Sequence, residues 1–232
     1  MIIKNIEDNN DDGIKLHRAM SPFGPLMIQG NISKELQSTI LTELDSILKL
    51  PGESNIIHGK YGGGAQAKSI KSGKFKNIDL DNNNIITDTI KGLTERYWYI
   101  MAENISHINN GVWEKMNNSS RSITSAWIVE MKANDFHIAH DHVAEGAMIA
   151  GSLYVDIPDV PSPEGDICWT LSMPGFDIKS DLFVHSPKNG DFVIWPAWLQ
   201  HHVYPFRKEN VSRKMISFNA RIDVSTENNN DK

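Results

Sequence analysis

This sequence predicts a mainly β fold, a double-sheet jelly roll with supporting helices at its N-terminal side. Three observations carry that expectation. After Ser122 the chain breaks into about eight short runs with the two-residue alternation of strands, separated by turn residues. Before it lie two long apolar stripes at helical spacing. Finally, two histidine clusters some sixty residues apart both fall in strand-like runs, and a jelly roll can enclose a small-molecule site in its mouth.

Length and composition set the bounds. The 232 residues suit one domain of jelly-roll size with an elaborated N-terminal part, and 40% hydrophobic with 22% charged residues is ordinary for a globular chain. A net charge of −6 argues against nucleic acid as a partner, because such binders are usually strongly basic. The lone cysteine, Cys168, cannot form an intramolecular disulfide and fits a reducing compartment. No run of 18 apolar residues and no signal-peptide core follows Met1, so a cytoplasmic protein without a membrane partner is expected.

Residues 1–13 end in a polar run and read as a solvated turn or loose end, as does 226–232. A first helix is expected from Ser33 to Leu50: Leu36, Ile40, Leu44, Ile47 and Leu48 share a face, Ser33 can cap it, and Pro51-Gly52 ends it. Residues 58–77 are rich in glycine and lysine. The run from Gly62 to Ala67-Lys68-Ser69 is one glycine short of a phosphate loop, and that glycine lets the backbone approach phosphate. A loop that folds over a site as a lid is the better expectation. A second helix should follow the break at Asp81–Asn84 and run to about His107, with a stripe of Ile90, Leu93, Tyr97, Met101, Ile105 and Ile108, and 117–122 is a polar linker. Residues 1–124 are thus expected as helical support with the lysine- and glycine-rich loop, and 125–232 as the β core, together one compact unit.

The expected strands are Ser125–Met131, Phe136–His142, Ala147–Ile157, Asp166–Leu171, Leu182–His185, Asp191–Trp195, His202–Phe206 and Arg213–Asp223. Asn189-Gly190 marks a tight turn, and Pro158, Pro161 and Pro163 mark a loop.

Five of the nine histidines sit in His137-Ile-Ala-His140-Asp-His142 and in His201-His202. On an extended strand His140 and His142 share one face and Asp141 takes the other. With His201 from a distant strand they can hold a metal on three sites and leave positions open, as non-haem iron requires. By the same parity His137 and His202 should point away. On the last strand Ile216 and Phe218 suit the packed interior, which turns Arg213 and Ser217 toward the histidines. A buried arginine needs an anion, and its planar fork suits a carboxylate.

These pieces occur in a telling order: His140-x-His142, Gly151-x-x-Tyr154, Gly190-Asp-Phe-Val-Ile-Trp-Pro196-Ala-Trp-Leu199-x-His201-x-Val203, and Arg213-x-x-Ile-Ser217-Phe-Asn219. Over residues 125–223 the chain resembles the 2-oxoglutarate- and Fe(II)-dependent oxygenases, in a bacterial and phage subgroup of the prolyl-hydroxylase-like superfamily. The resemblance implies a cupin-like double-stranded β-helix with Fe(II) on His140, His142 and His201. It implies 2-oxoglutarate on Arg213, with Tyr154 and Ser217 assisting, and O2 as the other co-substrate. The reaction implied is oxidation, in the simplest case hydroxylation, of a small molecule or protein side chain, with release of succinate and CO2. The chain departs from the pattern at Ala150-Gly151, at Trp195-Pro196-Ala197 and, above all, in having His-x-His where His-x-Asp is usual. Two alternatives stay open: a three-histidine cupin-like metalloenzyme that does not use 2-oxoglutarate, and a jelly roll that binds without catalysis. Selectivity is expected in residues 58–77, 159–164 and 173–179, since loops usually carry it.

Overall fold

Side-chain alternation along the strands decides how this chain layers. The computed structural model describes residues 2–4, 12–20, 26–50, 73–106, 114, 119–143, 146–170 and 183–223. Residues 58–72 of the lid expected over 58–77, and the selectivity loop at 173–179, lie outside these residues, while Lys74–Asn77 is a strand. In order come β1 (Ile2–Lys4), β2 (Ile14–Met20), β3 (Met27–Ile32), α1 (Lys34–Lys49), β4 (Lys74–Asn77), α2 (Ile85–Ser106) and β5 (Ser120–Met131). They are followed by β6 (His137–His140), β7 (Ile149–Asp156), β8 (Ile167–Thr170), β9 (Phe183–His185), β10 (Asp191–Pro196), β11 (Gln200–Val203) and β12 (Arg213–Asp223). An eight-stranded sheet has the order β1-β2-β3-β10-β7-β12-β5-β4, and a four-stranded sheet the order β6-β11-β8-β9; all pairings are antiparallel.

Both faces of the large sheet are buried. On β12, Ile216, Phe218 and Ala220 point to a core shared with Ile40 and Leu44 of α1 and Ile90, Leu93 and Trp98 of α2. Met215 points the other way, into a second core between the sheets with Trp127, Tyr154, Trp169 and Trp195. The same alternation runs along β5, β7 and β10, so their apolar residues serve two cores at once. Two-sided burial explains why these strands read as nearly continuous apolar runs.

Local chemistry sets the boundaries. The Ser33 hydroxyl accepts from the Leu36 amide and caps α1, as expected, and Gln37 Nε2 donates to the Val155 carbonyl at 2.6 Å, docking the helix on β7. At the turn into β10, Gly190 adopts φ +86°, a region that favours glycine, and Asn189 Oδ1 accepts from the Ile157 amide. Gly151 serves close approach: a Cβ there would sit 2.3 Å from Phe218 Cζ, and the two residues are cross-strand partners.

All eight strands expected after Ser122 are present, but the N-terminal part is richer than the helical support read from sequence. It contributes β1 to β4, which extend both edges of the large sheet. β4, Lys-Phe-Lys-Asn, has one apolar residue, Phe75, and is a strand because β5 pairs with it. Such an edge strand is decided by its neighbour rather than by its own propensity.

Candidate metal centre

β6 and β11 are neighbours in the small sheet, and the register sets His201 opposite His140. Their ring centroids lie 4.2 Å apart. His142 arrives differently from the expected strand alternation, because β6 ends at His140. The Asp141 carboxylate, turned to solvent, accepts from the Val143 amide at 3.1 Å and bends the chain. The His142 amide then donates to the Ala197 carbonyl at 2.9 Å, which fixes the imidazole against Trp127. Each of the other two rings is 5.2 Å from it. The outcome matches the sequence expectation: one ligand atom from each of His140, His142 and His201 lies within 4.8 Å of the others.

Their hydrogen bonds suit a metal. His140 Nδ1 lies 2.7 Å from the Ile138 carbonyl and His201 Nδ1 lies 3.2 Å from the Leu199 carbonyl. A carbonyl only accepts, so each Nδ1 carries the proton and each Nε2 is the unprotonated nitrogen. Backbone bonds of this kind orient metal-binding imidazoles. Burial holds His201 well below the usual histidine range, with a further push from the His140 and His142 imidazoles. The neutral form a metal needs is therefore the resting form. A small cavity of about 20 Å³, lined also by Trp127, Trp195, Met215 and Ser217, adjoins the set. That is room for an ion or a water.

His137 overturns the expectation from parity. Between the pairs His201↔His140 and Val203↔His137, β11 advances two residues while β6 advances three. This bulge puts His137 on the cavity side, where it is buried, stacks on Phe75 and lines the same cavity. His202 behaves as expected, half-buried and edge-on to Tyr204.

Arg213 begins β12 and is 1% exposed. Its Nη1 meets the thioethers of Met215, at 2.7 Å, and Met131, at 3.4 Å. The guanidinium lies 5.1 Å from the Tyr154 ring centre, and Nε and Nη2 are buried without hydrogen-bond partners among the described residues. Burial lowers its pKa, with Tyr154 and Asp166 opposing. The Tyr154 hydroxyl is likewise buried without a hydrogen-bond partner among the described residues, and burial pushes it up to about 12. Arg213 borders a second small cavity beside Asp166 and Phe206, and Met215 lies between it and the histidine cavity. Sequence reading missed His185, a buried side chain held between Gln29 and Asp191 that packs on Tyr154. No motif marked it.

Residues 125–219 match a family model described as "Putative 2OG-Fe(II) oxygenase". No curated protein matches the chain by sequence. Among solved structures, a Pseudomonas putida prolyl-4-hydroxylase is 15% identical with a TM-score of 0.53, over 84% of this chain and 92% of that one. A viral collagen prolyl hydroxylase from Paramecium Bursaria Chlorella virus-1 is 11% identical with a TM-score of 0.51, over 84% and 95%. The epimerase SnoN of nogalamycin biosynthesis, described as non-haem and α-ketoglutarate-dependent, is 14% identical with a TM-score of 0.52, over 84% and 77%. At such identities the likeness is one of fold, the jelly roll expected from sequence. Among the described residues, no helix is long and apolar enough to cross a membrane.

Proposed function

We propose that this protein is a 2-oxoglutarate- and Fe(II)-dependent dioxygenase, a reading supported by the match of residues 125–219 to the family model described as a 2OG-Fe(II) oxygenase. It oxidises, in the simplest case hydroxylates, a small molecule or a protein side chain. The observation that carries the reading is the convergence of His140, His142 and His201 on one cavity, with Met215 of its lining in contact with the buried Arg213.

The donor set fits the group. Three imidazoles suit Fe(II) and leave coordination positions open. Held there, Fe(II) with 2-oxoglutarate and O2 would supply the oxidant, with succinate and CO2 as co-products. The chain supplies the rest. Backbone carbonyls of Ile138 and Leu199 hold two imidazoles in orientation. Arg213 has two unpartnered nitrogens, and a thioether is a weak acceptor that a carboxylate outcompetes for the third. Tyr154 offers its hydroxyl beside it, and Ser217 faces the histidine cavity. Trp127 and Trp195 wall the centre against water.

The ligand set favours one second reading. Three neutral imidazoles stand where a carboxylate is usual, which leaves the metal more positive and suits a three-histidine enzyme that uses no 2-oxoglutarate. An anaerobic titration of Fe(II)-loaded protein with 2-oxoglutarate separates the two. A saturating visible charge-transfer band is expected, and Arg213→Ala should weaken binding about tenfold or more, the scale of a charge-assisted pair. Stoichiometric iron without a band would select the second reading, and no iron at all would leave a non-catalytic jelly roll.

A further inference from the structure

Buried polar atoms without hydrogen-bond partners are few in native proteins, and each calls for a cause. Here several gather in the layer between the two sheets: His137 Nε2, Tyr154 Oη, Trp169 Nε1, Trp195 Nε1 and both Nε and Nη2 of Arg213. The tryptophan and arginine atoms can only donate, and the phenol donates readily. A layer rich in donors and poor in acceptors suits an anion with several oxygens.

Within that group His137 stands apart. The β6 bulge turns it inward, and its ring stacks on Phe75 with centroids 5.9 Å apart. It meets His140 edge-on at 6.0 Å and lines the cavity of the three histidines. It nevertheless falls outside the set whose ligand atoms lie within 4.8 Å of one another. His137 thus shares a cavity lining with the three histidines and with Met215, whose thioether contacts Arg213, without belonging to the set.

We propose that His137 donates its Nε2–H to a carboxylate of the 2-oxo dicarboxylate held between the three histidines and Arg213. It is then a co-substrate-binding residue rather than a fourth metal ligand. This role rests on the oxygenase reading above. A carboxylate neighbour selects the Nε2–H tautomer of a neutral imidazole and fills the missing acceptor. The bulge is what makes the contact available, because regular pairing would turn the ring away.

The test compares wild type with His137→Phe, His137→Met and His137→Gln. Phe keeps the ring on Phe75 without a donor, Met removes the donor with a flexible side chain, and Gln keeps an N–H. Fe(II) affinity is measured first, and the loaded proteins are then titrated anaerobically with 2-oxoglutarate by the visible band. Unchanged iron affinity is expected throughout. The 2-oxoglutarate dissociation constant should rise about tenfold or more in Phe and Met, and Gln should recover most of it. Wild-type 2-oxoglutarate affinity in Phe or Met would remove the role of His137 and leave the oxygenase reading standing. Loss of iron from both would make His137 a ligand or a structural support and equally overturn the proposal. A wild-type protein that binds iron but gives no band would remove both.

Discussion

His201 and His202 are adjacent in sequence, and β11 sends them to opposite environments. His201 is 4% exposed among the other imidazoles, while His202 packs edge-on against Tyr204 at the half-buried outer face. Replacing His201 or His140 by alanine should abolish stoichiometric Fe(II) binding, read as iron content after anaerobic loading. Thermal unfolding should stay near wild type, since both rings border a cavity rather than fill the apolar core. His202→Ala should bind iron as wild type does. An iron-loaded His201→Ala protein would show that the ligand assignment is wrong. Asp141 is the instructive contrast: it stands between two of the metal-set histidines, yet its carboxylate is spent on the Val143 amide. The bend it makes is what brings His142 inward.

At the scale of elements, β12 organises the molecule. Its register with β7 sets Phe218 over Gly151 and Ser217 beside Ser152, which places one face on the helices and the other on the lumen. Gly151→Ala would put a methyl 2.3 Å from Phe218 Cζ, so the phenyl ring must leave its position. A loss of about 1–3 kcal/mol in urea unfolding is expected, the range of overpacked cores. Adding Phe218→Leu should make the pair non-additive, with the double variant more stable than the sum of single effects. Strict additivity would mean that the contact does not govern the cost. Lys214, on the helix side of β12, ties the sheet to α1 through Asp45 at 2.8 Å and reaches Asp156 at 3.5 Å. The element thus joins the layer that stabilises to the layer that carries the site.

Over the whole molecule the two cores differ in kind. The helix-side core is apolar, whereas the inter-sheet core mixes aromatic residues with His137, His201, Tyr154 and Arg213. Burial is the first cause that holds His137 and His201 well below the usual histidine range. In the unfolded chain both return to about 6.5. Folding therefore keeps full benefit above that pH. As pH falls below it, the unfolded state takes up protons that the folded state refuses. The metal-free protein should lose stability below pH ~6.5, by up to about 1.4 kcal/mol per pH unit for each histidine. Urea midpoints at several pH values between 7.5 and 5 measure this, and His137→Phe should flatten the slope. A midpoint independent of pH over that interval would refute it.

The sequence by itself determined α1 and α2, all eight strands after Ser122, the inward face of Arg213 and Ser217, and which three histidines come together. Each depends on a local period: 3.6 for the helices, two for the strands, and a motif order that strand alternation makes meaningful. Only the tertiary structure decided the N-terminal strands, the route of His142 and the orientation of His137. β4 exists because β5 offers it hydrogen bonds, and its one apolar residue gives no period to read. His142 lies past the end of β6 and is set by an amide bond to Ala197, fifty-five positions away in the chain. His137 turns inward because one extra residue between paired strands reverses parity, and that extra residue is defined by the register of β11 against β6. Periodicity is a property of one segment, whereas register belongs to two.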